Sequence, residues 1–150
     1  MKFNKPKFWD VKKLSIWSIL LFPFSIIYFF LSNINKIKVS KKFNIPVICV
    51  GNIYLGGTGK TPFCIKLFSI LKDLNKNPVF IRKKYKSYED EIKLLKTTGP
   101  IYENTKRITA INNAIQNGAG VVILDDGFQD FSIKKNLSIV CFNEKQWIGN

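Results

Sequence analysis

Gly56-Gly57-Thr58-Gly59-Lys60-Thr61 combines residue types that suit one task, the cradling of a phosphate. Glycine lacks the Cβ that would hold the backbone away from an anion, so successive N–H groups can wrap it. Lys60 offers a positive charge to terminal phosphates, and the Thr61 hydroxyl offers an oxygen to Mg²⁺. The flanking residues support this reading. Ile45-Pro46-Val47-Ile48-Cys49-Val50 predicts a buried strand before the turn, and an amphipathic pattern from Pro62 predicts a helix after it. The helix N-terminus then adds its partial positive charge to the cradle. Strict loops of this type carry glycine where Tyr54 stands.

A second acidic motif lies downstream. Val121-Val122-Ile123-Leu124 predicts a fully apolar strand, and it ends in Asp125-Asp126-Gly127. A strand ending in aspartate beyond a phosphate loop completes a nucleotide–Mg²⁺ site. In a parallel sheet both strand ends reach the same carboxyl edge, where ligands bind. Asp125 or Asp126 can therefore hold Mg²⁺, directly or through water. Two adjacent carboxylates after four apolar residues are costly to bury without a cation.

The elements that must position these residues are legible in outline. Phe63, Leu67, Leu71 and Leu74 recur at helical spacing and predict the stripe of a helix on a sheet, ended by Asn75-Lys76-Asn77. Pro78-Val79-Phe80-Ile81 predicts a second strand. Tyr88 to Thr97 predicts a short helix with Ile92 and Leu95 inward. Thr105 to Gln116 predicts another, through Ile108, Ile111 and Ile115, stopped at Asn117-Gly118-Ala119-Gly120. Leu137 to Phe142 predicts a last strand. Strands alternating with helices imply an α/β fold, a parallel sheet with right-handed crossovers.

Composition narrows the function classes. The 150 residues suffice for one α/β domain with a real core. The net charge of +14 comes almost wholly from lysine, because Arg82 and Arg107 are the only arginines. Nucleic-acid readers favour arginine's bidentate fork, so a nucleic-acid partner is not expected; anionic lipid or nucleotide phosphate suits the surface. Histidine is absent, which excludes a histidine base within the chain and argues against zinc. Cys49, Cys64 and Cys141 lack metal or redox spacing and read as buried, reduced thiols of a cytoplasmic environment. Leu14 to Ser32 carries no charge and is about as long as a bilayer-spanning helix. Lysines flank it on both sides, Pro23 invites a kink, and Trp9, Trp17 and Tyr28 suit an interface. An interfacial, a spanning and a buried disposition all stay open, with the interfacial one best matched by the symmetric charge.

The chain resembles the tetraacyldisaccharide 4′-kinase family, the lipid A 4′-kinases. The likeness rests on the N-terminal apolar helix, on Gly51-Asn52 through Thr61, and on Asp125-Asp126-Gly127-Phe128-Gln129. Tyr54 falls where the family also lacks the strict glycine. Glu89-Asp90-Glu91 matches part of a Gly-Asp-Glu-Pro element, and Arg107 matches an arginine opening the next helix. The resemblance departs at Ile81-Arg82-Lys83-Lys84-Tyr85-Lys86, which lacks the glycines of a Ser-Arg-Gly-Tyr-Gly motif, and at Asp130, where the family has histidine.

The resemblance implies a P-loop NTPase-like parallel sheet flanked by helices, preceded by a membrane-associated helix. Residues 1–44 would be the membrane-associating part and 45–150 the nucleotide-binding domain, with the family's C-terminal domain absent, so that the chain matches the family's N-terminal half. It implies ATP-dependent phosphorylation of the 4′-hydroxyl of a membrane-embedded tetraacyldisaccharide 1-phosphate, at the cytoplasmic face of a bacterial inner membrane rich in anionic lipids. Gly56, Gly57, Thr58, Gly59, Lys60 and Thr61 would hold ATP; Thr61, Asp125 and Asp126 would hold Mg²⁺. Asp90 would take the hydroxyl proton, with Lys60 beside the γ-phosphate. Two other readings fit the same residues: a membrane-tethered ATPase or GTPase switch, and a non-catalytic nucleotide-binding remnant.

Overall fold

A computed structural model describes residues 16–36, 40–52, 59–84 and 89–142. By their contacts these fall into two compact units. The first holds helix α1, Ile16–Lys36, with Pro23 inside it. Ile16, Phe22, Phe24, Ile27, Phe29 and Phe30 are all exposed on this helix. Among the described residues no helix is long and apolar enough to cross a membrane.

The second unit is built on five parallel strands: β1 (Val47–Gly51), β2 (Pro78–Lys83), β3 (Ile101–Asn104), β4 (Val121–Asp125) and β5 (Leu137–Val140). Their order is β3-β2-β4-β1-β5. The central pair is in register Val47↔Val122 through Val50↔Asp125, so the strand before the glycine-rich segment and the acidic strand end side by side. Every residue of β1 and β4 is buried, which is why both read as unbroken apolar runs. Ahead of β1, Lys41 already pairs in parallel with Ile133.

Alternating strand residues face two separate cores. Val47, Cys49, Val79, Ile81, Val122 and Leu124 pack with Ala110, Ile111 and Ala114 of α4 (Arg107–Gln116). Val50, Phe80 and Ile123 pack with Cys64 and Phe68 of α2 (Lys60–Asp73) and Leu95 of α3 (Glu89–Thr98). Helices thus cover both faces, as the alternating pattern predicts.

Four details differ from expectation. The inner face of α2 centres on Cys64 and Phe68, with Leu67 and Leu71 partly buried, while Phe63 and Leu74 are exposed. Phe68 stacks on Phe80 at 4.8 Å between ring centroids, and this contact fixes the helix's rotation. On α4 two alanines join Ile111 at the sheet, leaving Ile108 and Ile115 only partly buried; small side chains let the helix lie close. Cys141 lies just past the end of β5 and is partly exposed, unlike buried Cys49 and Cys64. Finally, β3 was not anticipated. Its four half-buried residues include Glu103 and Asn104, and only pairing with β2 makes them a strand.

Candidate phosphate-binding site

Gly59 is the N-cap of α2 with φ 76°, a left-handed conformation that glycine adopts without steric cost. Its carbonyl accepts the Phe63 N–H at 3.1 Å, so the helix starts immediately and Lys60 occupies its first residue. Lys60 Nζ donates to Asn52 Oδ1 at 2.9 Å and lies 3.3 Å from Asp126 Oδ1. Its ammonium is therefore held between the ends of β1 and β4, the adjacent strands of the sheet. Thr61 follows in the first turn of α2 and is partly buried. Gly56, Gly57 and Thr58 lie outside the described residues.

The two aspartates point to different partners. Asp125 is buried, its side chain 3 % exposed, and its Oδ2 lies 3.6 Å from Arg82 Nε at the end of β2. Asp126 is 63 % exposed and meets Lys60 instead. Its N–H extends the ladder to the Val50 carbonyl at 2.9 Å, but its φ is 57°, which turns the chain out of the sheet. Aspartate is among the few side-chain-bearing residues that enter this left-handed region readily, and its neighbours here hold it in place. Arg107 contributes to that hold: its Nη2 donates to the Asp126 carbonyl at 2.7 Å. Phe128 packs closely against Gly51, where an added Cβ would come within 2.6 Å of its ring.

Beyond the turn, Arg107 Nη1 reaches Asp130 Oδ2 at 3.5 Å, and Asp130 Oδ1 accepts from both the N–H and the hydroxyl of Ser132. Burial alone would raise the Asp130 pKa; the Ser132 donors and Arg107 outweigh it and hold the carboxyl below its ordinary range. Lys135 Nζ braces the same turn from the carbonyls of Phe128 and Asp130, at 3.1 and 2.8 Å. Asn52, Lys83, Arg107, Asp126, Phe128, Gln129 and Asp130 line a polar cleft of about 350 Å³ beside Lys60. Burial pushes the Cys49 and Cys64 thiols up, so neither is a nucleophile here.

Among the sequence-derived site residues, Lys60 and Asp126 are brought into contact, Gly59 shapes the turn, and Asp125 is engaged by Arg82. Asp90 is the second residue of α3, and its side chain lies outside the described residues. Asn52 and Arg82 gained no site role from sequence alone. The arginines did carry a signal: both choose strand-end carboxyl or carbonyl partners in a chain otherwise furnished with lysine. For a divalent ion the donors present are oxygens, the exposed Asp126 carboxylate and the Thr61 hydroxyl. Among the described residues no group of three or more His, Cys, Asp or Glu could hold a metal alone. Mg²⁺ asks for less, one or two protein oxygens plus phosphates and retained water, and this set fits it.

The geometry agrees with three comparisons. The family model for tetraacyldisaccharide-1-P 4′-kinase, LpxK, matches residues 17–150. The tetraacyldisaccharide 4′-kinase of Pelagibacter ubique (strain HTCC1062) is 55 % identical over 153 residues, covering all of this chain and 48 % of that protein. That of Rhodopseudomonas palustris (strain BisB5) is 31 % identical, covering 98 % of this chain and 48 % of its own length. The crystal structure of Aquifex aeolicus LpxK described as a complex with ATP superposes with a TM-score of 0.68 at 27 % identity, over 85 % of this chain and 49 % of that one. The chain thus spans about half the length of the curated relatives it matches. With the lysine that opens α2 in contact with the aspartate after β4 and a family match over nearly every residue, this chain belongs to the tetraacyldisaccharide-1-phosphate 4′-kinase family.

Proposed function

We propose that this chain is the nucleotide-binding part of an ATP-dependent lipid kinase that phosphorylates the 4′-hydroxyl of a tetraacyldisaccharide 1-phosphate in lipid A synthesis. One observation carries the reading: the Lys60 ammonium sits between Asn52 and Asp126, at the adjoining ends of β1 and β4. An incoming phosphate would take over the ammonium's donors from the Asn52 oxygen and the Asp126 carboxylate, and its oxygens would form charge-assisted contacts in their place. The relatives' names and the ATP complex of the Aquifex aeolicus neighbour support the same donor.

In this reading the loop from Gly56 to Gly59 wraps the phosphates, and Lys60 neutralises charge on the γ-phosphoryl as it moves. Thr61 and Asp126 would hold Mg²⁺, which would supply charge neutralisation to the phosphates. Asp125, anchored by Arg82, orders the strand end beside that position. The sugar hydroxyl oxygen attacks γ-phosphorus, the bond to the β-bridging oxygen breaks, and ADP departs. Asp90 takes the hydroxyl proton, a role assigned from family resemblance.

The acceptor's acyl chains would remain in a membrane while its headgroup reaches the strand ends. The exposed apolar side chains of α1 and its lysine-rich flanks support docking at the anionic cytoplasmic face of the inner membrane. The test is transfer of radiolabel from ATP to tetraacyldisaccharide 1-phosphate by a full-length family protein carrying this chain. Label should appear on the lipid and fall about a hundredfold or more in Asp90→Ala, with Glu91→Ala far milder. Label released only as inorganic phosphate would overturn the kinase reading in favour of a nucleotide switch.

A further inference from the structure

The turn after β4 contains an ion pair that the proposed chemistry leaves unused. Arg107 is 8 % exposed and uses its two terminal nitrogens on different partners, the Asp126 carbonyl at 2.7 Å and Asp130 Oδ2 at 3.5 Å. Asp130 is itself fixed by two donors from Ser132. Asp126 takes the left-handed conformation at φ 57°, and the Arg107 contact fixes its carbonyl there. Its carboxylate is the one aimed at Lys60. Fixing the carbonyl of a residue fixes the direction in which its side chain leaves the backbone.

We propose that Asp130 is a positioning residue for the nucleotide–metal site, acting through Arg107 to lock Asp126 in the left-handed turn that presents its carboxylate. The chain Asp130–Arg107–Asp126 runs from the cleft wall to the Lys60 ammonium, so Asp130 acts through Arg107. Arginine suits the middle place because its planar fork can serve two acceptors in fixed directions; an ammonium is a single point. Lys135 braces the same turn from the Phe128 and Asp130 carbonyls and lies over the Phe131 ring, so it supports the fold without forming part of the chain.

This inference rests on the reading that Lys60 and Asp126 face nucleotide and Mg²⁺, and the test separates the two. Fluorescent-ATP binding is titrated with Mg²⁺ for wild type and variants, and thermal melting is recorded without either ligand. Asp130→Asn should raise the Mg²⁺ midpoint about five- to tenfold, the scale of one charge-assisted contact. Arg107→Lys should give the same shift and should not add to it. In an Asp126→Ala background Asp130→Asn should have no further effect on the midpoint. Lys135→Met should lower the melting temperature and leave the midpoint alone, which a general loosening of the turn would not do. If Asp130→Asn fails to fold, Arg107→Lys alone decides, and an unshifted midpoint overturns the proposal. Wild type that binds no ATP defeats the nucleotide reading itself; wild type that binds while both variants keep its midpoint defeats this inference alone.

Discussion

The site depends on how two adjacent aspartates are held. Asp125 lies in the sheet layer against Arg82, both nearly inaccessible to water. Removing one member of such a pair leaves a buried charge without its counter-ion, at a cost of roughly 3–5 kcal/mol. Arg82→Met should therefore lower the unfolding free energy from urea denaturation by that much, and Arg82→Met with Asp125→Asn should recover part of it. A midpoint matching wild type in the single variant would mean the pair is solvated. Asp130 gives a pH signature. Its folded pKa is held below the ordinary aspartate value, so its contribution is fully present above that value and is lost as pH falls through the folded pKa. Asp130→Asn should flatten the acid limb of the stability curve below about pH 4 and leave the neutral limb parallel to wild type. An acid limb unchanged by the substitution would show that the carboxyl is not held low.

At the scale of elements, burial decided which features could be read from sequence. β1, β4 and most of β2 are covered on both faces, so their apolar runs announced them. β3 has only Ile101 and Tyr102 as apolar residues and exists through its ladder to β2, a tertiary cause invisible to local pattern. The rotation of α2 was also a tertiary matter, set by Phe68 on Phe80 and not by the spacing of its leucines. Phe80→Ala should therefore cost about 3–5 kcal/mol by denaturant melting, since it opens a cavity beneath two helices. Phe63→Ala on the exposed side should cost under about 1 kcal/mol, and equal losses would contradict the assigned rotation. For α1, replacing Phe22 and Phe29 with serine removes two exposed rings, each contributing about 1.5–3 kcal/mol when buried in lipid. Partitioning onto anionic vesicles should drop at least tenfold by co-sedimentation; unchanged partitioning would detach α1 from any membrane role.

Across the whole molecule, topology brings distant residues to one edge. Lys60, Arg82, Arg107 and Asp126 come from four elements, and β1 beside β4 is what brings the lysine to the carboxylate. Loop and strand-end motifs were enough to single out the lysine and the aspartates, because a glycine turn after an apolar strand and an apolar strand ending in aspartate are both local patterns. They could not divide the aspartates' partners or reveal the Arg107 hold, since both depend on strand order and a turn conformation that no local pattern encodes. The central claim is that these strand ends bind nucleotide phosphate through Lys60. Equilibrium titration of fluorescent ATP against wild type and Lys60→Ala tests it most directly. A lost charge-assisted phosphate contact costs on the order of 1.5–3 kcal/mol, so the variant should bind at least about tenfold more weakly with its melting temperature nearly unchanged. Equal affinity in the two proteins would contradict it.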